Sequence, residues 1–203
     1  MENNNSIKET ATEEITKNIK KTYRSMFNSH NRLLTVFKLQ KFSTIAVAIY
    51  ILGISIIILN TQYFSPEKIN IYNIYLIIMS IISLTLSLTI GESKNKALAK
   101  KFQKCARELQ HLYNAINLKI EQNSDYKLTN EENLYHEILK KYKLRQPQID
   151  YEYYIYEKYK KNKINFFFVT MFHLKYFLFT KFIYLLLLVF PILVMVLIQI
   201  IIK

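Results

Sequence analysis

The sequence predicts an all-α membrane protein: a two-span helical hairpin extended by a cytosolic antiparallel coiled coil, plus a C-terminal hydrophobic helix. Three observations predict it. Only two Gly and three Pro occur in 203 residues, too few turn formers for a chain of hairpin-linked strands. Charged residues are nearly absent from three windows and dense between them. On both flanks of the first two windows, apolar residues recur at heptad spacing.

The first window, residues 42–60 (FSTIAVAIYILGISIIILN), has no charge and makes a helix of about 28 Å, enough to cross the hydrocarbon core. The second, residues 74–90 (IYLIIMSIISLTLSLTI), makes about 25 Å, at the short end of what spans a bilayer. Ser65 followed by Pro66 is a helix start, so this helix is expected to begin before the apolar window, outside the membrane. The third window is 182–202. Pro191 at its middle should kink the helix rather than end it, because the bilayer offers freed backbone groups no other partner. The first 41 residues are polar and charged, so no cleavable signal peptide is expected.

Lys and Arg set the orientation. Residues 1–41 carry eight, residues 61–73 carry only Lys68, and residues 91–165 carry sixteen. Positive charge stays on the cytoplasmic side, so the N-terminus and the middle region are expected inside and the short loop outside. The third span then places Lys203 outside. The net charge of +13 follows from this topology together with attraction to anionic headgroups. No recognition motif accompanies it, so no nucleic-acid polymer is expected as a partner.

Ahead of the first span, Ile19, Tyr23, Met26, His30, Leu33 and Phe37 recur at spacings of 4, 3, 4, 3 and 4. After the second span, Phe102, Ala106, Leu109, Tyr113, Ile116 and Ile120 repeat the pattern. The two helices leave the membrane side by side in opposite directions, so an antiparallel coiled coil within one chain is the simplest arrangement. The same stripes can instead pack between subunits. Further on, Thr129 with Glu132 forms a capping box before a helix holding Leu134, Ile138, Leu139 and Tyr142, and Pro147 stops it. A Tyr- and Lys-rich segment, 150–163, leads into residues 166–181, which are apolar but hold His173, Lys175 and Lys181. A straight helix over 164–202 would be about 58 Å, twice the hydrocarbon core, so part of it must lie outside. Residues 166–181 are placed at the inner interface with both lysines snorkelling; the alternative is a second hairpin turning at 180–181. The chain thus divides into a cytosolic N-terminal helix (1–41), a transmembrane hairpin (42–90), a cytosolic helical region (91–165), and an interfacial segment with a third transmembrane helix (166–203).

Enzyme chemistry is not supported. Cys105 is the single cysteine, and the four His (30, 111, 136, 173) are scattered with no pair at metal-ligand spacing. Two glycines cannot build a phosphate-cradling loop, and no Ser sits in a nucleophile elbow. Asp150 is a lone acid in a basic segment. No metal, cofactor or catalytic residue is expected. His30 reads first as a packed polar residue on the coiled-coil stripe and second as a pH or ligand sensor.

What remains is polarity inside the membrane. Ser80, Ser83 and Ser87 share one face of the second span. On the residues alone the favoured reading is a close-packed helix seam, with Ser43, Ala46, Tyr50 and Gly53 of the first span as its partner. The other reading is a pore lining, in which hydroxyls replace part of an ion's water shell.

The order of these features resembles the SLATT family of small membrane domains. The matching stretches are Arg32-Leu33 and Lys41-Phe42-Ser43 at the first span, Ser80 through Ser87 on the second, then Ala97, Phe102, Ala106, Glu108-Leu109 and Leu112. The run Tyr135, Ile138, Leu139, then Ile149-Asp150-Tyr151 and Tyr154 is similar to members with a third hydrophobic segment. Such members often carry an Asn-His pair before the Asp-Tyr; here Gln146-Pro147-Gln148 stands in that place, so a role assigned to that pair does not carry over. The resemblance implies a homo-oligomeric pore-forming effector of a bacterial antiphage, abortive-infection system. It would sit in the inner membrane and be opened by a cyclic oligonucleotide or other second messenger. On that implication Ser80, Ser83 and Ser87 line the pore, and Arg24, Arg32 and Arg107 are the candidates to grip an anionic messenger, because Arg holds phosphate in a bidentate way. Ion pairing is their plainer role. The alternative function is a membrane-anchored binding, scaffold or immunity protein without a pore. A transporter ranks third, since the first two spans lack broken helices and ionisable residues.

Overall fold

A computed structural model describes residues 2–59, 65–91, 94–122, 129–160 and 166–201. Among them the regular secondary structure is all helical: α1 (Glu2–Leu59), α2 (Pro66–Gly91), α3 (Lys94–Gln122), α4 (Thr129–Tyr142), α5 (Gln148–Lys160), α6 (Phe166–Phe177), a π-helical turn (Leu178–Phe182) and α7 (Ile183–Ile201). No strand occurs among the described residues. Residues 61–64 of the expected outer loop, residues 161–163 of the Tyr-rich segment and Lys203 lie outside them. Three helices are long and apolar enough to cross a membrane, with candidate spans in Glu13–Leu59, Pro66–Leu88 and Thr180–Leu197.

The local signals read above explain the element ends. α2 starts at Pro66, where the missing N–H costs nothing, and Ile69 N–H returns to Ser65 O at 3.1 Å. α4 starts at Thr129. It ends before Pro147, through Lys143, whose φ of 48° is left-handed. Glycine is the usual residue there; the Lys143 N–H closing onto Leu139 O at 3.1 Å stabilises the turn instead. α7 continues through Pro191. The chain does not reverse at 180–181: those residues lie in the π-helical turn, flanked by right-handed helical angles at Phe177 and Ile183. A second hairpin there is not formed. Thr180 is buried in the turn and donates to Tyr176 O, supplying a partner where the helical ladder is disturbed.

The chain divides into two compact units. The first holds residues 1–34 and 96–173, the second 35–95 and 174–203. In the first unit the two heptad stripes meet within one chain. Ile19, Tyr23, Met26 and Leu33 of α1 form one buried cluster with Ala99, Phe102, Cys105, Ala106, Leu109, Leu112 and Ile116 of α3, joined by Ile138 and Tyr142 of α4. Tyr23 packs against Tyr113 with tilted rings whose centroids are 5.5 Å apart, and His30 reaches Ala99 O. Advancing along α1 therefore retreats along α3, which makes the pair antiparallel. At the far end of this unit, Tyr156 of α5 stacks on Phe172 of α6 at 5.2 Å.

In the second unit Val47, Ile54 and Ile58 of α1 pack against Tyr72, Tyr75 and Met79 of α2, with Val194 and Met195 of α7 alongside. Two polar contacts fix α7. Ser43 Oγ donates to Tyr184 O at 3.4 Å, and Tyr75 Oη donates to Pro191 O at 3.2 Å. The order 184 then 191 follows α1 upward and α2 downward, so α7 runs in the direction of α1 and against α2.

Candidate functional site

The expected seam between small-residue faces is not the one formed. Buried Tyr72, Tyr75 and Met79 fall on one face of α2; Ser80 and Ser87 lie about a quarter turn away. Ser80 and Ser87 are exposed and Ser83 is half-buried at the edge of the seam. On α1, Ser43 is buried against α7, but Gly53 is exposed, with nothing within 4 Å of where a Cβ would stand. The face that packs is instead built from large side chains, Tyr72, Tyr75 and Met79 against Val47, Ile54 and Ile58. The Ser face and the Gly53 face are left on the outside of a single copy. On the Ser face Ser80 Oγ donates to Leu76 O of its own helix at 2.7 Å, and elsewhere on α2 Thr85 Oγ1 donates to Ile81 O at 2.9 Å. Ser55 on α1 does the same to Ile51 O at 2.8 Å.

Of the three arginines, two are exposed and one is held within its own chain. Arg24 is exposed on α1 and Arg107 is exposed on α3. Arg24 lies near Tyr113, whose phenol is held below its usual value by a hydrogen bond from Asn117, then by Lys20 and the charge of Arg24. Arg32 is engaged within its own chain. Its Nε and Nη2 reach the two carboxylate oxygens of Asp150 at 2.9 and 3.0 Å. Ser29 Oγ donates to Asp150 Oδ2 at 2.7 Å, and Asn28 Nδ2 lies 3.4 Å from the Asp150 carbonyl. Asp150 is 0 % exposed, and the Arg32 side chain is 14 % exposed. A ligand for Arg32 would have to displace a buried carboxylate.

Asp150 is thus no lone acid, and its partners are what sequence reading missed. Asp150 stands in the first turn of α5, where a negative charge suits the helix dipole, and its N–H returns to Pro147 O at 3.2 Å. Pro147 therefore does more than stop α4: it starts α5 in the register that turns Asp150 toward α1. A signal was present in α1. Thr22, Ser25, Ser29 and Arg32 recur at spacings of 3, 4 and 3, one residue ahead of the apolar stripe, so a polar face adjoins the apolar one.

Other reactive groups are packed away. The Cys105 thiol is 0 % exposed and pushed up to about 11, first by burial and then by the charge of Glu108, so it stays protonated at neutral pH. His30 is half-buried with Nδ1 3.0 Å from Ala99 O, the packed polar residue of the plainer reading. No group of three or more His, Cys, Asp or Glu that could hold a metal ion occurs among the described residues.

Three apolar spans, a Ser face on the second, and a paired Arg32–Asp150 joining two of the motif stretches set the frame for comparison with known proteins. The sequence model of SMODS and SLOG-associating 2TM effector domain family 5 matches residues 8–197. The chain belongs to this SLATT family. It is thereby a membrane effector domain, and its apolar helices agree with that description. The description counts two spans; this SLATT chain adds a third apolar helix, α7, packed onto the hairpin through Ser43 and Tyr75. No curated protein and no solved structure matches the chain.

Proposed function

We propose that copies of this SLATT chain assemble in the bacterial inner membrane into a gated pore that depolarises an infected cell when a cytosolic signal opens it. The observation that carries this reading is the outward position of the Ser80, Ser83 and Ser87 face. In a single copy Ser80 and Ser87 are exposed and Ser83 is half-buried at the edge of the packed face, so in an assembly this side can face a water-filled lumen. One chain offers three spans, too few to enclose such a channel, so homo-oligomers are required. The N-terminus and residues 91–165 lie in the cytosol, a topology supported by the distribution of Lys and Arg. Moving the channel from mostly closed to mostly open needs a ligand with about 5 kcal/mol of preference for the open state. In this reading Arg24 and Arg107 contact an anionic messenger, which their exposure on α1 and α3 supports; Arg32 does not while Asp150 holds it.

The test is membrane potential, read with a voltage-sensitive dye after induced expression. The parent chain should depolarise cells. Ser83→Leu and Ser87→Leu should abolish depolarisation and toxicity while inserting normally, because Leu favours the bilayer. If both variants act like the parent, the Ser face does not line the pore. If the parent leaves the potential intact, the spans are only a tether.

A further inference from the structure

α1 presents two adjoining inner faces to the rest of its unit, and their chemistries are opposite. The apolar face, Ile19, Tyr23, Met26 and Leu33, packs on α3. The polar face, Thr22, Ser25, Ser29 and Arg32, meets α4 and α5: the Thr22 and Tyr135 hydroxyls bond at 3.0 Å, and Ser29 and Arg32 hold Asp150. Separating the first pair exposes apolar area to water, which always costs. Separating the second exchanges protein hydrogen bonds for water's, which nearly balance. Ser25 sharpens the contrast. Its Oγ is fully buried without a hydrogen-bond partner, a group that gains when water enters. α4 is also held by Ile138 and Tyr142 in the apolar core, whereas among the described residues the strongest hold of α5 on α1 is the buried carboxylate with its bidentate Arg32 and Ser29.

The same α1 runs without a break from Glu2 to Leu59, so the helix that carries Arg32 also carries the first span. We propose that Asp150, held by Arg32 and Ser29, is a latch: it keeps α5 on the polar face of α1 in the resting state, and its release is the step that lets α1 open the pore. The inference rests on the pore reading for its output, while the latch itself is a property of the first unit alone. A buried charged pair suits a switch better than an apolar contact does, because it holds tightly when complete and collapses when one partner is lost. Lys21 over the Tyr151 ring, at 4.2 Å, adds a second and weaker polar contact between the same two helices.

Two variants of the full chain test this, each read in two ways: residue-resolved hydrogen exchange in lipid nanodiscs, and the rate of depolarisation on induction in cells. Asp150→Asn keeps the shape and removes the charge. It should speed exchange in α5 about a hundredfold or more, leave Ala99–Ile116 of α3 protected, and depolarise cells sooner than the parent. Ser29→Ala removes one donor to the carboxylate. It should give the same pattern at about a tenfold effect, and it carries the test alone if Asp150→Asn does not accumulate in the membrane. Unchanged exchange in α5 overturns the latch. Equal loss of protection in α3 and α5 also overturns it, since the pair would then be part of one cooperative core. Released α5 with depolarisation no faster than the parent's breaks the link from latch to pore. Failure of the pore reading itself shows separately, in the parent and in the Ser83→Leu and Ser87→Leu cells, and leaves the exchange result standing.

Discussion

The two ends of α1 obey the same 3.6-residue period with opposite contents. Over residues 13–34 the outward positions are Glu13, Lys17 and Arg24, and the apolar residues face α3. Over residues 42–59 the outward positions are Phe42, Ile45, Ile49, Leu52 and Ile56, all more than half exposed, while Ser43 is buried. Water is the solvent for one end and hydrocarbon for the other. Where water is the solvent, burying apolar area drives packing. In the bilayer the lipid is as apolar as the side chains, so packing must come from close fit and hydrogen bonds. The second unit shows both, in the Val47–Met79 interdigitation and in the hydroxyls of Ser43 and Tyr75 bonded to α7.

The largest expected effect tests that difference directly. Leu109 on α3 is 0 % exposed in the first cluster; Leu109→Ala should cost about 2–5 kcal/mol, the usual range for a core truncation in water. Ile54 on α1 is equally buried in the second cluster, but Ile54→Ala should cost less than half as much, since lipid replaces the lost contacts on unpacking. Hydrogen exchange of α3 and of α2 in nanodiscs reads the two costs. Equal losses would mean that the second unit is packed as if in water, and its place in the bilayer would be wrong.

This contrast was partly legible in the sequence. Both stripes of the first unit could be read, because heptad spacing is local and each helix carries its own pattern. The spans could be read from charge depletion, and α2's start from Ser65-Pro66. Two things could not be read. The polar face of α1 consists of residues that also look like ordinary surface, and its partner Asp150 is 118 residues away, so nothing local identifies the pair. The Ser80–Ser87 face was visible as a face, but which neighbour it meets depends on where α7 packs. Tyr72, Tyr75 and Met79 hold the inner position, with Val194 and Met195 of α7 packed against their cluster.

A smaller effect sharpens the membrane side. Tyr75→Phe keeps the buried ring and removes the donor to Pro191 O. Hydrogen bonds between helices in a bilayer are worth about 0.6 kcal/mol on average and about 1.7 at most. The variant should therefore loosen α7 by that amount, seen as a few-fold faster exchange around Pro191, with α3 unaffected. A loss as large as that of Leu109→Ala would show that polar contacts, not close fit, dominate the second unit.

The smallest effect belongs to the water-facing surface of the first unit, where Glu108 accepts from Lys141 Nζ at 2.7 Å and from Tyr142 Oη at 2.6 Å. The hydrogen bond from Lys141, then that from Tyr142, holds the Glu108 carboxyl below its ordinary 4.5. The bond to Glu108 raises Lys141 above 10.5 and Tyr142 above 10.0. A carboxyl lowered in the folded state adds stability that is complete above its unfolded value and is lost as pH falls through its folded value. The raised Tyr142 and Lys141 act at the other end, adding stability that is lost as pH rises through their folded values. The contribution of this cluster to the melting midpoint of the first unit should thus be flat between about pH 5 and pH 9 and fall on both sides. Glu108→Gln should remove this pair's share of the acid slope and lower the plateau by at most about 2 °C, since half-exposed pairs are screened by solvent. Raising salt to 1 M, where the screening length shrinks to about 3 Å, should have the same sign. The α2–α7 contacts, built from apolar groups and hydroxyls, should not move with either change. If their midpoint follows pH or salt as the first unit's does, the two units are not in different solvents.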